Sequence, residues 1–210
     1  MNHDDFAVEP VRGLPERPPE GEEILWQGRP DTWALTKAAL GFWWVAGYFV
    51  LLALWRFVAA MDIMPIGQAV GISVPFLVLA AIVGFLLWLT AFVQARTTVY
   101  TVTNRRIAMR IGAALTVTLN LPYTQIESAD LDLRKDGTGT IALKLMGDTR
   151  FSYIMCWPHI RPWKVPAQPA LRCVPDAERI ARLVADAAEA RVNLPQVERR
   201  DSAAIAVPAE

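Results

Sequence analysis

Residues 97–112 read TTVYTVTNRRIAMRIG and follow directly on a long apolar run. The run before them has no two-residue alternation; here the period becomes two. Tyr100 and Val102 lead into the turn Thr103-Asn104-Arg105-Arg106, and Ile107, Met109 and Ile111 place one apolar face on the returning strand. The alternation continues down the chain. Leu115, Val117, Leu119 and Leu121 alternate with Thr116, Thr118 and Asn120, and Ala129, Leu131 and Leu133 with Ser128, Asp130 and Asp132, which gives each strand one wet face. After the turn signal KDGTG come Ile141, Leu143 and Leu145, and after Gly147-Asp148 come Phe151, Tyr153 and Met155. Six consecutive strands joined by short turns predict an antiparallel meander, whose apolar side must close on itself or be covered.

The C-terminal region offers the cover. Beyond Val174-Pro175-Asp176, residues Ile180, Leu183, Val184, Ala187 and Ala188 fall on one stripe of an amphipathic helix. A bent sheet of six or seven strands closed by one terminal helix is the pleckstrin-homology (PH) layout. A seventh strand is available at Glu23-Ile24-Leu25-Trp26-Gln27-Gly28, upstream of the apolar runs.

Two runs separate that strand from the hairpin. LGFWWVAGYFVLLALWRFVAA (40–60) and ISVPFLVLAAIVGFLLWLTAFV (72–93) each have the length needed to cross a hydrocarbon core, about 20 residues. Arg56 is the only charge in either, near an end where it can snorkel. Pro75 lies in the expected first turn of the second helix, and Gly67 and Gly71 in the loop before it. Trp43, Trp44, Tyr48, Trp55 and Trp88 read as interfacial anchors or packing residues ahead of pigment contacts. The loop MDIMPIGQAVG has one acid and no Lys or Arg, whereas Arg29 and Lys37 precede the first run and Arg96, Arg105, Arg106 and Arg110 follow the second. The positive-inside rule therefore puts both termini in the cytoplasm and the loop outside.

The expected organisation is a disordered leader at 1–22, a strand at 23–30 joining the PH-like domain, and transmembrane helices at 38–60 and 72–94 around a periplasmic loop at 61–71. A cytoplasmic PH-like domain at 95–192 and a flexible tail at 193–210 follow. The fold class is thus an α+β membrane protein, a two-helix transmembrane hairpin plus an antiparallel PH-like β domain capped by a C-terminal helix.

Composition narrows the chemistry. With 53% hydrophobic residues and eight tryptophans in 210, the chain is too apolar for a typical soluble domain of this size. A formal net charge of zero gives no polyanion-binding signature, so nucleic acid is not an expected partner. Cys156 and Cys173 are the only cysteines, and their spacing suggests neither a zinc site nor a disulfide framework. Of the two histidines, His3 lies in the leader and His159 outside both spans, where a chlorin or haem ligand would be unusual. Asp136-Gly137-Thr138-Gly139 is a turn rather than a phosphate loop, because no helix start or Lys follows it. No catalytic residue, metal site or cofactor is expected.

Two groups remain as candidate contact sites. Arg105, Arg106 and Arg110 form a basic hairpin that either sets topology or contacts lipid head groups or a partner. Trp157, His159, Arg161 and Trp163, in WPHIRPW, are candidate partner-binding residues, because aromatics and Arg are favoured in interface cores; a packed strand-to-helix linker is the equal alternative.

EGEEILWQGRPDTWAL, two spans, VYTVTNRRIAMRIG and TLNLPYTQIESADL, in that order, resemble the bacterial PH-domain membrane proteins. More narrowly, GLPERPPEGEEILWQGRP, TNRRIAMRIGAALTVTLNLPYTQIESADLDLRKDGTGTIALKLMG, WPHIRPWK and LRCVPDA resemble the photosynthetic complex assembly proteins of purple phototrophic bacteria, from Gly13 to about Ala188. That resemblance implies a non-enzymatic factor that helps build the reaction centre and its core light-harvesting complex. Its implied setting is the cytoplasmic or intracytoplasmic membrane, with reaction-centre and light-harvesting subunits and membrane lipids as partners and a homo-oligomer as a further one. A lipid-binding PH-like module is the alternative, and a bacteriochlorophyll carrier a distant third.

Overall fold

The turn at Thr103-Asn104-Arg105-Arg106 is built by two side chains. Thr103 Oγ1 accepts from the backbone N–H groups of Arg105 and Arg106 at 3.1 and 3.0 Å, closing the hairpin between β2 (Val99–Thr103) and β3 (Arg106–Ile111). Its register puts Tyr100 opposite Met109 and Val102 opposite Ile107. Asn104 reaches upstream instead, its Oδ1 accepting from the Glu23 N–H at 3.1 Å and its Nδ2 donating to the Gly21 carbonyl at 3.0 Å. These bonds seat β1 (Ile24–Gly28) antiparallel on β2, with Trp26 opposite Val102. The strand before the helices therefore joins the sheet after them, as expected.

The computed structural model describes residues 10–112, 116–147 and 151–193. Leu115, Asp148, the first nine residues and the tail from 194 lie outside them. Seven strands occur among the described residues, in two antiparallel sheets of order β1-β2-β3-β4 and β5-β6-β7. The further strands are β4 (Val117–Pro122), β5 (Ile126–Leu133), β6 (Gly139–Leu145) and β7 (Ala170–Val174). Tyr100, Met109, Leu121, Ile141, Leu143 and Leu171 fill one core between the sheets. The terminal helix, here α5 (Ala177–Val192), adds Ile180, Val184 and Ala187 to it, with Leu183 and Ala188 half-buried at its margin. The stripe read from its sequence is the buried one.

Between β1 and β2 run three helices, α1 (Thr32–Ala38), α2 (Phe42–Met61) and α3 (Ile66–Thr97). The last two are long and apolar enough to cross a membrane, and they pack on each other with most side chains outward. Their buried residues are small: Ala53 and Ala60 on α2, Ala69, Ser73, Ala91 and Ala95 on α3. Small residues let two helix backbones approach when there is little polar surface to bring them together. Trp43, Trp44, Tyr48 and Trp55 project outward, whereas Trp88 stacks between Phe85 and Phe92.

The structure corrects several expectations. The eleven-residue loop at 61–71 contracts, because α3 starts at Ile66 behind the Pro65 cap; Gly67 and Gly71 are helical and Pro75 lies inside the helix rather than in its first turn. The strand predicted through Phe151, Tyr153 and Met155 is absent: Tyr153–Cys156 is a single helical turn, α4, capped by Ser152. The third strand of its sheet is β7, buried on both faces, so no alternation marks it. The leader is not wholly disordered, since Leu14 is buried and Gly13 sits against Val99, too close for any side chain at that position.

Candidate functional site

The chain leaves α3 through Thr98 and enters β2, and there the predicted WPHIRPW segment meets it. His159 is buried between two hydroxyls, with Nε2 3.0 Å from Thr98 Oγ1 and Nδ1 2.6 Å from the Tyr100 phenol. The same phenol accepts from the Arg172 N–H of β7 at 3.2 Å, which leaves its one proton for His159 Nδ1. In that arrangement the neutral imidazole carries its proton on Nε2 and donates it to Thr98. Burial, with the Arg172 guanidinium beside it, pulls the imidazole down to about 3, and burial pushes the Tyr100 phenol up. The network stays uncharged apart from Arg172.

Arg172 extends this joint to the chain before the helices. Its Nη1 donates to the Pro158 carbonyl at 3.2 Å and its Nη2 to the Ala38 carbonyl, the last residue of α1, at 3.1 Å. Asp31 caps α1 by accepting from the Ala34 N–H, while its own N–H donates to the Cys173 carbonyl at 2.8 Å. Ala34, Leu35, Ala91 and Cys173 pack into a small second core. The entry to the helical hairpin, its exit and the WPHIRPW segment are therefore fastened at one buried polar joint. The sequence pointed to His159 but not to Thr98, Tyr100 or Arg172 as its partners. The available signal was Arg172 itself, a lone charge within the apolar run Ala170-Leu171-Arg172-Cys173-Val174.

The four WPHIRPW candidates are divided by the fold. His159 is interior and cannot touch a partner surface, a correction that follows from its two hydrogen bonds. Arg161 pairs with Asp130 at 2.6 Å, its backbone bonded to Gln168. Trp157 is partly exposed and Trp163 is 96% exposed. Around them Val165 is 90% and Ile154 87% exposed, with Met155 also outward, so an apolar rim surrounds a segment pinned at His159.

The basic hairpin is not an open cation patch. Arg106 Nε pairs with the buried Glu22 carboxylate at 2.9 Å, Arg105 donates to the Glu20 carbonyl at 3.0 Å, and Arg110 is buried. The leader thus contacts both arginines at the turn. Cys156 and Cys173 are both free, and burial pushes the Cys173 thiol up. Among the described residues no cluster of His, Cys, Asp or Glu is arranged to hold a metal ion.

Residues 35–188 match the family model described as Bacterial PH domain. The chain belongs to that family. The match begins within α1 and leaves β1 outside, so the strand that completes the first sheet precedes the matched region. A relative from Rhodobacter capsulatus, described as an uncharacterized 23.7 kDa protein in the puhA 5' region, is 47% identical over 203 residues, covering 94% of each chain. Among solved structures, a DUF1696 family protein with a pleckstrin-homology domain from Shewanella loihica is 15% identical. That match covers 43% of this chain and 71% of the other at a TM-score of 0.30.

Proposed function

We propose that this bacterial PH domain protein is a non-enzymatic, PuhB-type assembly factor for the photosynthetic reaction centre and its core light-harvesting complex, acting by protein contact in the cytoplasmic or intracytoplasmic membrane. The observation that carries this reading is the nearly full-length identity to the Rhodobacter capsulatus protein, whose position in the puhA 5' region is a photosynthesis-related context. The outward-facing apolar side chains of α2 and α3 support a membrane setting, because a soluble protein would bury them. The absence of Lys and Arg between the two helices supports cytoplasmic termini.

The contact surface proposed is the apolar rim of Trp157, Trp163 and Val165. A partner gains from a surface that is already ordered, since less rotamer and loop entropy is lost on binding. His159 supplies that order by tying the segment to the root of the helices. Trp163→Ala combined with Val165→Ser should leave stability within about 0.5 kcal/mol, because both side chains are exposed. Affinity purification from phototrophic cells during early assembly should recover reaction-centre subunits with the wild type and several-fold less with this variant. Equal recovery would remove the rim from the contact, and no recovery by either protein would remove the assembly reading.

The exposed rim at the exit of α3 also favours a second reading, a module that senses lipid at the membrane surface. Flotation of the full chain with liposomes, selective for head group and lost in the same variant, would favour it. Pigment carriage has less support, since neither α2 nor α3 contains histidine.

A further inference from the structure

A cavity of about 290 Å³ opens between β5, β6 and β7 and the loop carrying Arg161 and Pro162. Arg134, Arg161 and Arg172 line it, with Thr140 and the carboxylates of Asp130 and Asp132. Arg172 is 4% exposed, and with both Nη atoms committed to Pro158 and Ala38 its Nε has no acceptor. Arg134 Nη2 donates to Thr140 Oγ1 at 2.9 Å, and its Nη1 is likewise buried without an acceptor. Two guanidiniums, one on β7 and one in the turn after β5, thus line the same cavity, each carrying a buried donor without an acceptor. Each such donor costs free energy until an acceptor meets it. The charges around it do not supply one: Asp130 is held by Arg161 at 2.6 Å, and both aspartates are exposed on the face of β5. Burial chiefly, and to a lesser degree the positive charge of Arg134, lowers the pKa of Arg172, as expected of a charge in a poorly solvated space beside a like one.

We propose that this cavity binds a phosphate-class oxyanion, with its oxygens accepting from Arg172 Nε and Arg134 Nη1. Guanidinium donors match phosphate geometry, and two guanidiniums from separate elements can each reach a different oxygen of one tetrahedral group. Through Ala38, Arg172 is tied to the chain just before α2, so the site lies at the root of the helical hairpin. The group is therefore either free phosphate or the phosphodiester of an anionic lipid head group. The site is independent of the assembly reading.

The test uses the full chain, delipidated in detergent, and inorganic phosphate titrated against chloride at matched ionic strength. Near a hundredfold excess over Kd the thermal midpoint should rise by about 5 °C. The Arg172 side-chain Nε–H resonance in arginine-labelled protein should shift over the same titration. Arg134→Gln, which leaves the bonds to Ala38 and Pro158 intact, should lose the thermal response. Nanodiscs of phosphatidylcholine with and without phosphatidylglycerol then separate the sources. A midpoint raised by phosphatidylglycerol and no longer responsive to inorganic phosphate assigns the head group; a response to inorganic phosphate that ignores disc composition assigns the free ion. The site is overturned if neither probe moves the midpoint beyond the chloride control, or if Arg134→Gln responds as the wild type does.

Discussion

His159 has no carboxylate beside it and two neutral hydroxyls in contact, so protonation would place a cation in the core with nothing to balance it. Its folded value of about 3 lies below the ordinary 6.5, so between those values the unfolded chain holds the extra proton. The stabilisation is complete above pH 6.5 and is lost as the pH falls towards 3, at about 1.4 kcal/mol per pH unit. Between pH 6.5 and 5 the loss from this residue alone is about 2 kcal/mol. His159→Gln should be less stable than the wild type at pH 8 yet show a flatter decline of the thermal midpoint across that window. Parallel declines would assign the acid sensitivity to other groups. The sequence marked His159 as an unusual pigment ligand and a candidate partner contact, but carried no sign of its hydrogen-bond partners, because residues 98, 100 and 172 meet it only through tertiary contact. The outward position of Trp163 was equally hidden. A tryptophan between proline and lysine reads the same on a packed linker as on an open rim.

At the scale of elements, alternation in the sequence was legible and its absence was not, even though β2 is buried throughout and β5 is largely exposed in the fold. β2 to β5 and α5 announced themselves by period; β7, enclosed on both faces, offered five residues without alternation and was displaced by a false strand through Tyr153. Gly139 shows a related ambiguity. Within KDGTG it reads as a turn glycine, yet it is the first residue of β6, and a Cβ there would lie 2.5 Å from Ala177 Cβ at the start of α5. Gly137 is the conformational glycine, at φ +78° with open space around it. Gly139→Ala should cost about 2 kcal/mol or more by forcing α5 off the sheet, and Gly137→Ala about 1 kcal/mol through its backbone alone. Thermal denaturation of the two variants checks the order, and a reversed order would mean that α5 does not land on β6. Ile180→Ala, deep under the same helix, should cost about 3 kcal/mol.

Across the whole molecule, one chain threads a sheet, two long apolar helices and the sheet again, and a buried joint of Thr98, Tyr100, His159 and Arg172 locks the return. The domain is thereby held in a fixed relation to the root of its helices. In the proposed membrane setting this arrangement would hold the exposed rim at a set distance from the bilayer, which is what the proposed assembly role requires. The two long apolar helices and the PH layout were legible because apolar length and strand period are local properties. The joint was not, because it draws on three separated parts of the chain. The assembly role is tested most directly by deleting the protein from a purple phototrophic host and measuring reaction-centre absorbance per cell beside total bacteriochlorophyll during phototrophic growth. The expected result is reaction-centre absorbance lowered several-fold with pigment synthesis continuing, restored by the wild-type chain and only partly by Trp157→Ala with Trp163→Ala. Normal reaction-centre levels in the deletion strain would contradict the assembly role.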